Sequence, residues 1–382
     1  MEITLNLKNL TITEQIVFYS LIISFAIELF YIIFFYLRFL LKKFPKTKGA
    51  NLPVSVIIAA KNEAENLRKF LPSILEQNYD NYEVIVVNDA SSDDTEIILA
   101  ELKQKYKHLY FTNIPENQQF KHGKKLALSI GIKAAKNEFL IFTDADCKPL
   151  SKNWIKSIVA NFDEQTIFVI GYGGYFAQKG LLNKLIRSDT VQIAITYFSF
   201  ANAGIPYMGV GRNMAYRKSF FNKVQGFKDH WNLLSGSDDL FINKYANAKN
   251  LKIEISPESL VKSIPKNKFK NFVNQKIRHF STAPYYKFKH KLLLGIELLM
   301  RIIFFTTVIT SFFIPKITLW AIILFIIRFI LLIWVYTAAN KRFQEKNILI
   351  MEIFYDFFQL FFNLYIYIKK SLSKNKNYYV WK

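Results

Sequence analysis

The sequence is poor in cysteine, in acidic residues and in long polar tracts. Cys147 is the only cysteine, so no disulfide can close within the chain and a disulfide-stapled scaffold is excluded. The five histidines show no HExxH or paired spacing, and no Ser-His-Asp arrangement is visible. A zinc centre and a nucleophilic triad therefore have no support; His230 and His279 are the two histidines that could still face a bound ligand. Asp and Glu total 29 against 51 Lys and Arg, a net charge of +22. No internal repeat appears, and the Lys/Asn-rich C-terminus is the one biased tract. What fills the chain instead is apolar: hydrophobic residues make up 51%, with 37 Phe and 21 Tyr. Such a composition can bury enough surface to offset its ordering entropy, which excludes extended disorder.

The apolar residues are gathered into runs. Ile16–Leu41 is long enough to cross a bilayer core, which takes about 20 helical residues. It is too long for a signal-peptide core and lacks a small-residue cleavage site, so it is expected to be retained. Its only charges are Glu28 and Arg38; Lys42, Lys43, Lys46 and Lys48 follow it, whereas Lys8 is balanced by Glu2 and Glu14 before it. The positive-inside bias then places the next domain in the cytoplasm, under an inner membrane. Leu292–Ile314 and Ile317–Ala339, parted by Pro315-Lys316, predict a helical hairpin. Ile348–Ile368 carries Glu352, Asp356, Gln359 and Asn363 on one helical stripe, so it either spans with the stripe inward or lies in the interface. Mid-span Arg328 needs a partner. Glu297 and Arg301 sit one turn apart and can satisfy each other, which leaves Asp356 or Glu352 for Arg328 and tilts the reading toward a spanning last helix. That places Lys369, Lys370, Lys374, Lys376 and Lys382 against the charge bias.

Between the runs the texture changes. Val54–Ala60, Tyr82–Asn88 and Phe139–Thr143 are short continuous apolar runs that suit buried parallel strands. Asn62–Gln77, Asp93–Tyr106 and Lys124–Ala135 read as helices, with Pro72 predicting a bend or a late start in the first. Strands alternating with helices predict an α/β, doubly wound, mostly parallel sheet with its ligand at the carboxyl ends of the strands.

Those ends are acidic. Lys61-Asn62-Glu63 follows the first strand, Asp89 through Asp94 the second, and Asp144-Ala145-Asp146 the third. Asp93 and Asp94 read as turn and cap residues. Two carboxylates one residue apart, leaving an apolar strand, repel each other unless a cation joins them. Asp144 and Asp146 are therefore candidate ligands for a hard divalent ion, Mg2+ or Mn2+.

At these residues the chain resembles family 2 glycosyltransferases of the GT-A fold, with membrane-embedded relatives among polysaccharide synthases and lipid-linked sugar transferases. PVSVIIAAKNEAENL resembles their opening strand, placing Ala60 and Glu63 near the nucleotide. VNDASSDDT resembles VDDGSxDxT, so Asp89 matches the aspartate that binds the base of a UDP-sugar, with Asn88 replacing the usual Asp. HGKKLALSIGIKAA implies Lys124 near the diphosphate, and TDADC is the DxD motif, with Asp144 facing the sugar nucleotide and Asp146 on the metal. GVGRNMA resembles GxNxA, which implies an acceptor-side position for Gly211 and Asn213. SGSDDLF stands in for (E/D)DxxL: Asp238 falls on the catalytic base, and Asp239 takes that role if the register slips by one, otherwise an acceptor-side one. QKIRH resembles QxxRW, giving Gln275 and Arg278 to the donor, with His279 where the family has Trp.

The resemblance implies an inverting transfer from a nucleotide-sugar to a glycan or lipid-linked acceptor. A catalytically silent relative that only binds nucleotide-sugar or glycan is the alternative, raised by Asn88, Ser237 and His279. The basic residues cluster beside spans, as in KSIPKNKFKNF, which points to membrane lipids rather than nucleic acid. The expected organisation is a membrane helix and basic flank over 1–48, a GT-A domain over 49–267, an amphipathic interface segment over 268–291, and further membrane helices over 292–382. In that interface segment Phe269, Phe272, Val273, Lys276 and Phe280 share a helical stripe expected to lie on the inner leaflet, the Lys276 stem snorkelling to water.

Overall fold

The computed structural model describes residues 10–43, 51–117, 122–233 and 235–372. Lys8, Glu2, Lys46, Lys48, Lys374, Lys376 and Lys382, on which the charge bias partly rests, lie outside the described residues. The chain begins with helix α1, Ile12–Leu41, whose turns over Tyr31–Leu37 are π-helical. The central domain follows as β1 Val54–Ala60, α2 Ala64–Leu75, β2 Tyr82–Asp89, α3 Thr95–Lys105, β3 Leu109–Ile114, α4 Lys124–Ala134, β4 Phe139–Asp144, β5 Cys147–Pro149 and α5 Trp154–Val159. It continues with β6 Phe168–Gly171, β7 Gly173–Tyr175, α6 Leu181–Asn202, β8 Met214–Arg217, α7 Lys218–Lys223, α8 Asp239–Tyr245, β9 Leu251–Glu254 and β10 Val261–Ser263. The last part is helical: α9 Phe269–Phe280, α10 Phe288–Ser311, α11 Pro315–Phe343 and α12 Leu349–Leu372.

Seven strands form one sheet in the order β3-β2-β1-β4-β8-β6-β9. The first four are mutually parallel, and β8 runs antiparallel to both β4 and β6. Every residue of β1 is buried, because helices cover both faces. Val54, Val56 and Ile58 meet Leu67 and Leu71 of α2 on one face. Ile57 and Ala59 meet Ala127 and Leu128 of α4 on the other. That second core does not stop at the domain: it runs on through Phe198 and Phe200 of α6 to Phe35 and Phe39 of α1 and Phe343 of α11. The sheet and the helical bundle therefore share one apolar interior. α2 begins at Ala64 with Pro72 inside it, so the late start does not occur.

Among the described residues, four helices, α1, α10, α11 and α12, are long and apolar enough to cross a membrane. Buried charges link all four in a chain. Arg328 of α11 bonds Glu28 of α1 and, at 2.7 Å, Asp356 of α12. Arg301 of α10 pairs with Glu297 and reaches Asp356 at 3.3 Å and Gln359 at 3.0 Å. The expected Arg328–Asp356 pair thus forms; Glu352 instead accepts from Asn340 at 2.6 Å. Glu28 is a partner not read from the sequence, since nearly the whole chain separates it from Arg328.

The last helix, a candidate span by length and composition, also packs on the central domain. Tyr355 donates to Asp189 of α6 at 2.6 Å, Phe362 stacks on Phe272 of α9 at 5.5 Å, and Lys370 Nζ donates to Phe280 O at 3.0 Å. Its stripe of Tyr355, Phe362 and Ile366 packs with Ile186 of α6 and with Phe272, Val273 and Ile277 of α9. The same contacts correct the reading of α9. Phe272 and Val273 are buried against α12 rather than turned to lipid, and Lys276 does not snorkel but bonds Asp189 at 2.7 Å.

Candidate functional site

The sheet register brings the acidic loops together. Ala60 pairs with Asn88 and Ala59 with Asp144, so the carboxyl ends of β1, β2 and β4 form one edge. A cavity of about 1180 Å3 opens there and extends between α10 and α12. Glu63, Lys124, Asp144, Asp146, Asp238 and Arg278 line its sheet end. Gly211, Asp239, Gln275 and His279 also line it.

Lys124, in the first turn of α4, forms an ion pair with Asp144 at the end of β4. Burial disfavours the ammonium, but the Asp144 and Asp238 carboxylates outweigh it and raise the Lys124 pKa. Asp144 is correspondingly held below the usual carboxylate range, against its own burial, by Lys124. Asp146 moves the other way: burial and the neighbouring Asp144 charge raise it. Glu63 is raised to about 7, by burial first and then by Asp146 and Asp144, while Asn66 opposes the shift. Asp146 accepts from Ser263 Oγ at 2.9 Å.

Asp144, Asp146 and Cys147 offer ligand atoms within 4.8 Å of one another. Burial raises the Cys147 thiol well above its ordinary value, so it stays protonated and is no hard-metal ligand. The two carboxylates remain, the oxygen donors that Mg2+ or Mn2+ takes together with substrate phosphates. The residues present fit such an ion.

Asp238 stands just before α8 without capping it and turns toward the cavity, where its Oδ2 accepts the Gly211 N–H at 2.8 Å. A Cβ at Gly211 would meet that oxygen at 3.1 Å and Lys124 Nζ at 3.3 Å, so a side chain there presses on both groups. Asp239 is used differently. It accepts from Leu240 N–H at 2.8 Å, Thr282 Oγ1 at 2.5 Å and Tyr286 OH at 2.9 Å, bonds that fasten the α9–α10 connection. Burial, then the Asp238 charge, push its carboxyl up to about 6.

Other expected residues sit elsewhere. Asn213 is fully buried; its Nδ2 donates to Tyr172 O and Ser259 O and its Oδ1 accepts from Trp154 Nε1, so it braces the entry to β8 and does not face an acceptor. The Ala60 side chain is fully buried under α2, and Ala59 takes the cavity wall in its place. Asp89 is also buried. His122 Nε2 accepts the Asn117 N–H, so its proton is on Nδ1 and is donated to Asp89 Oδ1 at 2.5 Å. Asp89 Oδ2 has no partner among the described residues. His230 does not line the cavity, whereas His279 does. Gln275 donates to Tyr175 OH at 3.0 Å, and the guanidinium of Arg212 lies 4.4 Å from the centroid of that ring.

Sequence reading passed over Arg212, Tyr175 and Lys266, all on the cavity wall. Arg212 stands inside GVGRNMA between the two residues that were singled out. Lys266 was hidden in a basic run that reads as a membrane flank.

Residues 55–225 match the family model described as glycosyl transferase family 2. The chain carries a family 2 glycosyltransferase domain. Glycosyltransferase AglE of Haloferax volcanii is 34% identical to it over 193 residues, 48% of this chain and 58% of that protein. The poly-β-1,6-N-acetyl-D-glucosamine synthase of Staphylococcus epidermidis is 37% identical over 93 residues, 24% of this chain and 21% of that one. The chain thus spans little more than half the length of the first relative and far less of the second. Among solved structures, mannosyltransferase PcManGT from Pyrobaculum calidifontis, in complex with GDP-Man and Mn2+, covers 90% of this chain and 99% of its own at 17% identity and a TM-score of 0.55. The family 2 domain thus has the GT-A fold, with the expected mostly parallel sheet.

Proposed function

We propose that the protein transfers a sugar from a nucleotide-sugar, with inversion, to a glycan or lipid-linked acceptor at the cytoplasmic face of a membrane, in the synthesis of envelope polysaccharide or glycolipid. The observation that carries this reading is the convergence of Asp144, Asp146, Asp238, Lys124 and Arg278 on one cavity at the carboxyl edge of the sheet. Asp238 takes the proton of the acceptor hydroxyl as that oxygen attacks the anomeric carbon and the bond to the diphosphate breaks. The Gly211 N–H holds one oxygen of Asp238, which fixes the orientation of the carboxylate. Asp144 and Asp146 would hold Mg2+ or Mn2+, which supplies Lewis-acid neutralisation of the diphosphate when bound. Lys124, Arg278 and Arg212 add positive charge where the leaving group develops its own. The unpartnered Asp89 Oδ2 suits a base N–H, and the motif resemblance favours UDP over other nucleotides.

The test is nucleoside diphosphate release by the purified chain with Mn2+ and a panel of UDP-sugars, with GDP-mannose beside them. Release that depends on both the sugar nucleotide and the acceptor supports transfer. Tight nucleotide-sugar binding without release would instead identify a silent binding component.

A further inference from the structure

The candidate metal ligands rest against a small second sheet. Its strands have three residues each and run in the order β5-β10-β7. Cys147, the first residue of β5, follows Asp146 directly and pairs with Ser263, the last residue of β10. On its other side Ser263 pairs with Tyr175 of β7. Ser263 Oγ donates to Asp146 Oδ2 at 2.9 Å, while Tyr175 accepts from Gln275 and stacks under Arg212. A ladder this short has few backbone bonds, so side-chain ties weigh heavily in where it sits.

The strongest of those ties comes from the connection between α11 and α12. Lys262 precedes Ser263 and points to the opposite face of β10, as successive strand residues do. Its Nζ pairs with Glu345 at 3.0 Å and donates to Gln344 O at 3.2 Å. Glu345 also accepts from Tyr172 OH, just before β7, at 3.2 Å and from Arg187 Nε of α6 at 2.8 Å. Glu345, Lys262 and Arg187 are all buried, and they do not line the cavity. A Cβ at Gly174, the ladder partner of Lys262, would meet Glu345 Oε1 at 3.0 Å, so β7 leaves the carboxylate its room. The connection is already fastened without β10. Arg187 Nη2 donates to Lys346 O at 3.0 Å, and Phe343 stacks on Tyr172 with centroids 4.3 Å apart. What Lys262 adds is a link to the strand that carries Ser263.

We infer that Glu345 and Lys262 are positioning residues for the metal site. From the connection between two candidate membrane helices they set the place of β10, and with it the hydroxyl of Ser263 that orients Asp146. One strand thereby couples the membrane hairpin to a metal ligand. This inference rests on the metal reading of Asp144 and Asp146 above.

The test measures binding without turnover. The full chain in detergent micelles is titrated with Mn2+ alone, and free Mn2+ is followed by its electron paramagnetic resonance signal. Ser263→Ala should raise the Mn2+ dissociation constant about tenfold, the low end of what losing a ligand's hydrogen-bond partner costs. Lys262→Met and Glu345→Gln should each raise it by a similar factor. In a Ser263→Ala background neither should raise it further, because the hydroxyl they place is gone. Glu345→Gln keeps the side-chain volume, which guards against a Lys262→Met variant that does not fold. A purely structural role would lower the melting temperature and leave the Mn2+ constant where it was. An unchanged constant in Ser263→Ala, an unchanged constant in the folded Lys262 and Glu345 variants, or full additivity with Ser263→Ala overturns the inference and leaves the metal site standing. Absence of Mn2+ binding by the wild type overturns both.

Discussion

Arg328 of α11 holds Asp356 of α12 at 2.7 Å while also bonding Glu28 of α1, so one guanidinium joins two neighbouring helices to one 300 residues away. All three side chains are buried. Such a node is costly to leave half-made, because a carboxylate stripped of its cation stays in an apolar setting. Arg328→Leu should destabilise the detergent-solubilised protein by about 3–5 kcal/mol, read as a lowered melting temperature. Unaltered melting would mean that solvent reaches the node.

Asp146→Asn is nearly isosteric, and the Asn side-chain oxygen can still accept from Ser263. The fold should hold, with an unchanged melting temperature, and turnover should fall close to zero because one of two hard oxygen ligands has lost its charge. EDTA should abolish wild-type turnover, and added Mn2+ should restore it. Full activity in EDTA is the outcome that rules out metal dependence.

For the base, Asp238→Asn should lower the turnover number by about 10²-fold or more while nucleotide-sugar affinity is largely kept. The neighbouring Asp239→Asn should act mainly on stability, since Asp239 accepts three hydrogen bonds from the α8 start and the α9–α10 connection. A greater loss of turnover in Asp239→Asn than in Asp238→Asn would move the base by one residue.

Asp239 also predicts a pH dependence. Its folded pKa of about 6 lies above the unfolded value of roughly 3.9, so the protonated form favours the fold. That contribution is complete below the unfolded value and is lost as pH rises through about 6. Comparing wild type with Asp239→Asn between pH 4 and pH 7 isolates it from Glu63 and His230, which titrate in the same range. Over that range the wild type should lose stability relative to the variant by on the order of 3 kcal/mol.

Arg212 faces the carboxylate pair from a stack on Tyr175, which Gln275 holds in place. Arg212→Met keeps most of the stem volume and removes the charge. The KM for the nucleotide-sugar should rise at least about tenfold, with partial recovery in Arg212→Lys because an ammonium restores the charge but not the planar fork. Gln275→Leu should give a smaller change of the same kind, acting through Tyr175.

Much of this protein is written locally. The nearly continuous apolar runs Val54–Ala60 and Phe139–Thr143 specify strands buried on both faces, because only Ser55 and Thr143 in them are polar. Acidic residues just past such strands mark the site, since a parallel sheet puts those loops on one edge. Long apolar segments likewise announce themselves as candidate spans by length alone. What the sequence left open depends on partners brought from afar. Asn213 and Asp238 look equally polar in one dimension; only packing shows that Trp154, Tyr172 and Ser259 consume the first, while the second keeps its face to the cavity. The pattern of α12 did not name what its other face meets; Asp189 and Phe272, supplied by α6 and α9, take Tyr355 and Phe362. Arg328 needed a counter-charge, and local pattern offered Asp356 or Glu352 but not Glu28. Helical periodicity tells which residues share a face, but it carries no information about which distant segment that face will meet.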